Sequence, residues 1–533
     1  MDRVFFNGKI YVERDHFEQA MLVQDDRIVR IGSDGEVLAA APSGCERVDL
    51  EGRTVIPGFN DSHLHIQMLG DNLNQVALHG CPSMQEVIQR GRDFLAAHAL
   101  PAGATLQGFG WNQDYFTDEV RMPNRYDLDQ ISTEHPIIFS RACGHAISIN
   151  SRAIEMIGLT AQTPQPEGGE FGIGENGEPD GLLYERASNL LVSLRAEPTP
   201  EVIASYLKAA MDYAASMGLT TVQSNDLNEN NYPDFLAAID LLRQRDEITC
   251  RYFAQCSFTD PQKLTAFFNE GHVRGDGDAL AQIGSIKMFI DGSLGARTAL
   301  LRGPYADDPN AVGIKTLPDD VFDEIVRVTD AHNCTVVTHC IGDGAVENCL
   351  ASYERVIGNG PNRNRHGIIH CQITDADQLA RIRDLDVMAM VQPIFIHYDM
   401  HVVRQRVGDA LAETSYAFGT MGRMGIHVSY GTDCPVEDLN PFNNLYCAIT
   451  RRDLNGGEMY LPGECVDVFT AIDNYTYESA YTCFDENGRG RLQPGYMADF
   501  VVLDTDIFTV PAEQIKDARP VATYLGGRVT YQR

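Results

Sequence analysis

Thr54-Val55-Ile56-Pro57-Gly58-Phe59-Asn60-Asp61-Ser62-His63-Leu64-His65 reads as an extended segment ending in two imidazoles two residues apart. A strand has a side-chain period of two, so both rings point to one face, a good geometry for clamping one cation. Later stretches repeat the design. Cys334-Thr335-Val336-Val337-Thr338-His339 and His366-Gly367-Ile368-Ile369-His370 are short apolar strands ending in histidine, and His427-Val428-Ser429-Tyr430-Gly431-Thr432-Asp433 is one ending in aspartate. A lone histidine at a strand end is an ordinary hydrogen-bonded residue. The recurrence of the pattern is what points to a shared site.

Gly284-Ser285-Ile286-Lys287-Met288-Phe289-Ile290-Asp291-Gly292 places a lysine inside an apolar run, in a chain with six lysines against thirty-six arginines. A long cation in a buried strand is costly unless it is paired or chemically changed. Desolvation lowers the amine pKa and frees the nitrogen to react with carbon dioxide, giving a carbamate that offers an anionic oxygen ligand. A lysine can also snorkel from a strand end, so Lys287 takes its meaning from the ligands around it.

Helix-compatible apolar spacing runs over 202–217, 235–245, 320–332, 345–357 and 375–385. Between these segments, 218–223, 249–254, 281–290, 335–339, 367–370, 387–392 and 426–430 read as strands, and the strand ending at His63 and His65 makes eight. Parallel strands alternating with helices, each closing on a polar group, predict an α/β fold: a (β/α)8 TIM-like barrel with its active site at the carboxyl face.

With HxH, Lys, His, His and Asp on strands one, four, five, six and eight, the chain resembles the amidohydrolase superfamily in its two-metal form. More closely, it is similar to the amidohydrolase-3 branch that includes N-substituted formamide deformylase. The supporting stretches are 55–65, Gly108-Phe109-Gly110-Trp111-Asn112, 144–151, 287–297, His339-Cys340-Ile341-Gly342-Asp343 and Gly431-Thr432-Asp433-Cys434-Pro435-Val436, which span almost the whole chain. The resemblance implies a metal-dependent hydrolase cleaving a non-peptide C–N bond, amide or formamide-like, with a metal-activated hydroxide. It implies His63, His65 and Asp433 on one divalent ion, His339 and His370 on a second, and carboxylated Lys287 between them. Asp433 is also the expected catalytic acid and base. Imidazole and oxygen donors suit two zinc ions, and manganese, iron and nickel are compatible with the same set.

Composition agrees with a small-molecule enzyme. The 533 residues are 44% hydrophobic, enough for a large core. A net charge of −33 repels phosphates and excludes nucleic acid as a partner. No apolar run is long enough to span a membrane, and the start lacks the basic and apolar blocks of a signal peptide, so a cytoplasmic location is expected. The 13 cysteines are scattered and fit a reducing compartment. Cys340, Cys371 and Cys434 each follow a proposed ligand, but strand alternation turns them toward the surrounding helices as small buried residues. Dimers are common among the proteins the chain resembles; the sequence does not fix the oligomeric state.

The ends read as one unit. Val4 to Val12 and Met21 to Ile31 look like hairpins around Asn7-Gly8 and Asp25-Asp26. With the strands at 498–504 and 522–531 they predict a β-sandwich from both termini, 1–56 plus 490–533. The barrel is then 57–75 plus 195–489, and 76–194 is an insertion after barrel strand one that covers the active site. This insertion is rich in loop punctuation, including the glycine-rich 168–181, which lacks the strand-to-helix context of a phosphate loop. Loops and insertions at the catalytic face carry specificity, so Trp111, Tyr115 and His145 are candidate substrate contacts, each weighed against core packing. Arg297, after the lysine strand, either binds a substrate carboxylate or makes a surface ion pair. Asp291 is an alternative ligand, set against by its odd spacing from Lys287.

Two other functions use the same frame. A mononuclear deaminase of a cyclic amine, as in cytosine or adenosine deaminases, resembles this barrel but needs a glutamate three positions after the fifth-strand histidine; Cys340-Ile341-Gly342 follows His339. A catalytically silent amidohydrolase-like scaffold has typically eroded ligands, and all six are present.

Overall fold

A computed structural model describes residues 2–98, 100, 103–141, 146–166, 168–194 and 198–533. The strands expected from the sequence are β1 (Phe59–Leu64), β2 (Leu219–Ser224), β3 (Arg251–Ser257), β4 (Ala281–Phe289), β5 (Thr335–Cys340), β6 (Gly367–His370), β7 (Met388–Val391) and β8 (Val428–Tyr430). They lie in one eight-stranded sheet in this sequential order, each pairing parallel with the next. Near-continuous burial along β1, β2 and β3 fits strands covered on both faces. The crossover helices include Tyr232–Gln244, Asp319–Ala331, Asp343–Ile357 and Ala376–Asp384.

The sheet nearly closes at a seam between β1 and β8, where residues just past the strands do the joining. The Asp433 N–H donates to the His63 carbonyl at 2.9 Å, and the His65 N–H donates to the Cys434 carbonyl at 2.8 Å. Asp61 adds a side-chain stitch. Its carboxylate accepts the Thr432 N–H (3.0 Å), the Thr432 hydroxyl (2.8 Å) and the Tyr475 hydroxyl (2.9 Å). Gly431 is required by this close approach, since a Cβ there would lie 2.7 Å from the His63 nitrogen. The seam therefore holds Asp433 directly against His63 and His65.

Both termini enter one six-stranded sheet of order Arg528–Gln532, Pro520–Leu525, Phe500–Leu503, Thr54–Pro57, Lys9–Glu13, His16–Glu18. A four-stranded sheet holds Arg27–Gly32, Ala20–Gln24, Arg3–Phe6 and Glu46–Asp49. Phe5, Met21, Val55, Phe500 and Tyr524 share the core between them. One expectation fails here. Val4 to Val12 is not a hairpin, because Arg3–Phe6 pairs with Ala20–Gln24 and Glu46–Asp49 while Lys9–Glu13 belongs to the other sheet. Asn7 takes a left-handed φ of 56°, and the chain crosses between sheets there. The Asp25-Asp26 hairpin forms as expected.

A buried ion pair joins β3 to the strap before Phe500. Arg251 Nε and Nη2 donate to the two Asp499 carboxylate oxygens at 2.7 and 3.0 Å, with both residues in the interior. Removing one partner strands the other charge, which costs about 3–5 kcal/mol. Asp499→Ala is therefore expected to lower the urea midpoint of unfolding sharply; an unchanged midpoint would show that the pair contributes nothing net.

By internal packing, 67–209 separates as a second compact unit from 1–66 with 210–533. It contains a six-stranded sheet of order Gly169–Ile173, Pro179–Glu185, Ala146–Ile149, Ile137–Arg141, Leu106–Trp111, Val76–Ala77. The glycine-rich stretch read as loop punctuation forms the antiparallel pair Gly169–Ile173 with Pro179–Glu185. Trp111 is fully buried in this unit's own core and its indole N–H donates to the Phe139 carbonyl at 3.0 Å, so packing and not substrate contact accounts for it. Tyr115 is exposed on a short 3-10 turn. His145 lies outside the described residues. Among the described residues, no helix is long and apolar enough to cross a membrane.

Candidate metal centre

The imidazoles of His65, His63, His370 and His339 form a continuous chain at the carboxyl end of the barrel. Ring centroids are 5.3 Å apart for His63 and His65, 5.6 Å for His63 and His370, and 4.5 Å for His339 and His370. His63 and His339 each lie one residue before the end of their strands, β1 and β5, both reached by ordinary strand alternation. His370 is different. In register, Lys287 faces Val337 and His339 faces Ile369, and Val337, Ile369 and Met390 pack together. With Ile369 in that layer, alternation alone would turn His370 outward; a left-handed φ of 74° re-aims it. Asp433 is likewise left-handed at 59°.

Each imidazole has one nitrogen committed to an oxygen acceptor. His63 Nδ1 lies 2.6 Å from Gln255 Oε1, His370 Nδ1 2.7 Å from Gln392 Oε1, and His65 Nδ1 2.9 Å from the Asn225 carbonyl. His339 Nε2 lies 3.1 Å from the Gly292 carbonyl. The glutamine orientations are themselves set, since Gln255 Nε2 donates to the Ser62 carbonyl and Gln392 Nε2 to the Met390 carbonyl. A ring nitrogen facing an acceptor carries the hydrogen, so in the neutral rings Nε2 of His63, His65 and His370 and Nδ1 of His339 keep their lone pairs. This outer support fixes tautomer and ring orientation in the way metal-binding histidines need.

The lone pairs meet other electron-rich atoms. Asp433 Oδ1 is 3.4 Å from His63 Nε2 and 3.3 Å from His65 Nε2, and it has no hydrogen-bond donor among the described residues. The three ligand atoms lie within 4.8 Å of one another. Three lone-pair atoms converging in a buried site leave a gap that a cation or a proton fills. Burial holds the His63 and His370 pKa values well below the usual range, helped by the Lys287 charge. Burial and the same lysine push His339 down to about 3. For His65 burial also acts downward, but the Asp433 carboxylate outweighs it and raises the value.

Lys287 belongs to the same electrostatic neighbourhood. Its Nζ is buried without a hydrogen-bond partner among the described residues and sits 4.2 Å from the Phe289 ring centroid. Burial lowers its pKa to about 7 against the attraction of Asp433, Cys340 and Asp291. Asp291 borders the same cluster, with Oδ1 3.3 Å from His339 Nε2. Its carboxylate accepts the Leu300, Ile341 and Gly342 N–H groups at 3.0, 3.2 and 2.8 Å, tying the loop after β4 to the end of β5. Cys340, Cys371 and Cys434 are buried free thiols.

Arg297 is not aimed at a substrate carboxylate. Its Nε and Nη2 grip Asp307 at 3.0 and 2.9 Å, where Arg406 also binds. Gln255 and Gln392 were not visible as site residues in the sequence, because each meets its histidine only once separate strands are brought together in the barrel.

The amidohydrolase family model matches residues 46–531. The chain belongs to the amidohydrolase family. This amidohydrolase is 30% identical to the protein YtcJ of Bacillus subtilis across the full length of both chains. It is 25% identical to the N-substituted formamide deformylase of Arthrobacter pascens, over 98% of this chain and 96% of that one. A solved structure of an uncharacterized metal-dependent hydrolase from Pyrococcus furiosus superposes with a TM-score of 0.78 at 29% identity, covering 96% of this chain and 100% of that one.

Proposed function

We propose that this amidohydrolase is a metal-dependent hydrolase of a non-peptide C–N bond, of amide or formamide type. The observation that carries this reading is the set of inward lone pairs with outer hydrogen bonds in place, against which Asp433 Oδ1 and Lys287 Nζ stand buried and unsatisfied. Buried polar atoms are nearly always partnered, so two such orphans in one site fit a group that binds them. The donor set of imidazole nitrogens and oxygens suits zinc. His63, His65 and Asp433 would hold one ion and His339 and His370 another. Lys287 Nζ would add to carbon dioxide with loss of a proton, and the resulting carbamate would supply anionic oxygen ligands. Bound divalent metal supplies Lewis acidity and lowers the pKa of water.

The chain's own residues do the rest. Asp433 accepts the proton of the attacking water at its carboxylate and returns it to the leaving nitrogen. Its position is fixed by the Asp433 N–H bond to the His63 carbonyl, so proton acceptor and histidines move together. Phe395, stacked on His370 with centroids 5.9 Å apart, shields one flank of the site from water. The likeness to N-substituted formamide deformylase favours a formyl or small acyl group on nitrogen.

Incubating the protein with zinc or manganese and bicarbonate, then screening N-substituted formamides, N-acyl amines, cyclic amides, esters and ring amines, is expected to release an amine and an acid from the formamides or N-acyl amines. Exclusive deamination of ring amines would overturn the reading. The outer glutamines give a second check. Gln392→Leu removes the acceptor that orients His370, and metal affinity is expected to fall by roughly 10–100-fold, read by competition with a chelator. Unchanged affinity would mean that His370 does not hold metal.

A further inference from the structure

One carboxylate braces the loop after β4 against the end of β5. Asp291, two residues past β4, has its side chain wholly out of solvent. Its Oδ2 accepts the Leu300 and Gly342 N–H groups at 3.0 and 2.8 Å, and its Oδ1 accepts the Ile341 N–H at 3.2 Å. His339 Nε2 stands 3.3 Å from the same Oδ1. The backbone around this carboxylate is tightly fitted. The Leu300 carbonyl accepts the Gly344 and Ala345 N–H groups at 2.9 and 3.2 Å, and a Cβ at Gly342 would lie 2.0 Å from that carbonyl. Thr298 holds the Gly292 N–H with its carbonyl at 3.1 Å and the Ser293 N–H with its hydroxyl at 2.9 Å. The Gly292 carbonyl, between those two bonds, faces His339 Nε2 at 3.1 Å.

The donors explain why this residue is an aspartate. Two N–H groups face each oxygen, and an ionised carboxylate only accepts. An asparagine would turn its NH2 on one of the two pairs. Asp291 Oδ1 and the Gly292 carbonyl together bracket a single ring nitrogen, which places the hydrogen of His339 on Nε2 and its lone pair on Nδ1. His63, His65 and His370 have the opposite arrangement, each with Nδ1 committed to an acceptor. Those three acceptors are amide or peptide oxygens. Among the described residues, His339 is the one ring of the four whose hydrogen-bearing nitrogen lies beside a carboxylate. A carboxylate behind an imidazole fixes its tautomer and strengthens it as a metal ligand.

Resting on the hydrolase reading, we propose that Asp291 is a positioning residue that holds His339 in the Nε2–H tautomer, inverted relative to the other three rings, and so presents Nδ1 to the ion shared with His370. Asp291 acts through His339. Both of its oxygens are occupied by N–H groups, which removes it from the ligand set itself.

The test reads the rings before any metal is added. In metal-free protein carrying isotope-labelled histidine, NMR correlation of ring protons with ring nitrogens distinguishes the tautomers, and the signals lost in His339→Gln assign His339. The unaltered protein is expected to carry hydrogen on His339 Nε2; hydrogen on Nδ1 overturns the proposal. In Asp291→Asn the NH2 is expected to turn toward His339, because an imidazole nitrogen can become an acceptor and the Leu300 and Gly342 N–H groups cannot. His339 then moves to the Nδ1–H form while His63, His65 and His370 keep theirs. An unmoved His339 tautomer overturns the assignment. Zinc affinity, read by competition with a chelator, is expected to fall about 10–100-fold for one ion and to hold for the ion on His63, His65 and Asp433. Asp291→Ala, where water can take the freed N–H groups, is expected to show the same one-sided loss. Equal weakening of both ions, or of neither, overturns the proposal, as does a single zinc in the unaltered protein. If neither variant folds, judged by circular dichroism, Asp291 is a structural tie and the assignment falls. No readout uses turnover, so two bound zinc ions with the expected tautomers and no cleaved formamide would overturn the hydrolase reading and leave Asp291 in place.

Discussion

Replacing Lys287 with methionine is expected to abolish turnover, by roughly 10³-fold or more, the scale of losing an electrostatic group at a reacting centre, and to raise the thermal stability of the metal-free protein. The two effects have one cause. Lys287 Nζ is buried with no hydrogen-bond partner among the described residues, and a core methionine of similar length would keep the packing without the desolvated amine. Folding takes the amine from an ordinary value of 10.5 to about 7, chiefly through burial. A folded-state pKa depressed in this way means that the unfolded chain binds more protons between those two values. Stability conferred at this position therefore rises with pH from about 7 to about 10, and the cost at neutral pH is of the order of a few kcal/mol. Calorimetric melting of both proteins, with chelator and in carbonate-free buffer, reads the difference directly. Methionine should be the more stable variant near pH 7, with the gap closing toward pH 10. A constant gap, or full activity in the variant, would remove Lys287 from the site.

The barrel was legible in the sequence because its signal is local. Each strand from 219 to 430 is a short apolar run bounded by turns, and the residue closing it can be read without knowing its neighbours. The apolar face of Asp319–Ala331 is local in the same sense. What failed depended on partners far along the chain. Asn7-Gly8 has the composition of a hairpin turn, yet Leu50 and the strand Glu46–Asp49 capture the preceding segment for another sheet. Trp111 and Arg297 were given possible substrate roles because aromatic and cationic residues suit them, but Phe139 and Asp307 had already engaged both. The inward aim of His370 rests on a left-handed backbone that periodicity would not suggest. Gln255 and Gln392 support histidines 192 and 22 residues away, and the seam that carries Asp433 is formed by Asp61, 371 residues from Thr432. Ligand types can be listed from sequence, whereas their support is a property of the closed barrel.

That seam makes Asp433→Asn the sharper of the two replacements. In the metal-free protein the Asp433 oxygen faces His63 Nε2 and His65 Nε2 at 3.4 and 3.3 Å, while Nδ1 of each ring is already donating. The Asp433 carboxylate raises the His65 pKa, outweighing the downward effect of burial. An asparagine amide would donate to one of the ring nitrogens instead, so the metal-free variant is expected to melt higher than the unaltered protein. The same change removes the negative ligand and the group that moves the proton, so kcat is expected to fall by about 10²–10⁴-fold. The opposed signs separate function from folding: a merely structural aspartate would lose stability when replaced, and activity would follow it down. Measuring melting temperature with chelator and kcat with saturating zinc on the same preparation decides between them. Wild-type kcat in Asp433→Asn would exclude this carboxylate from the chemistry, whatever happened to the melting temperature.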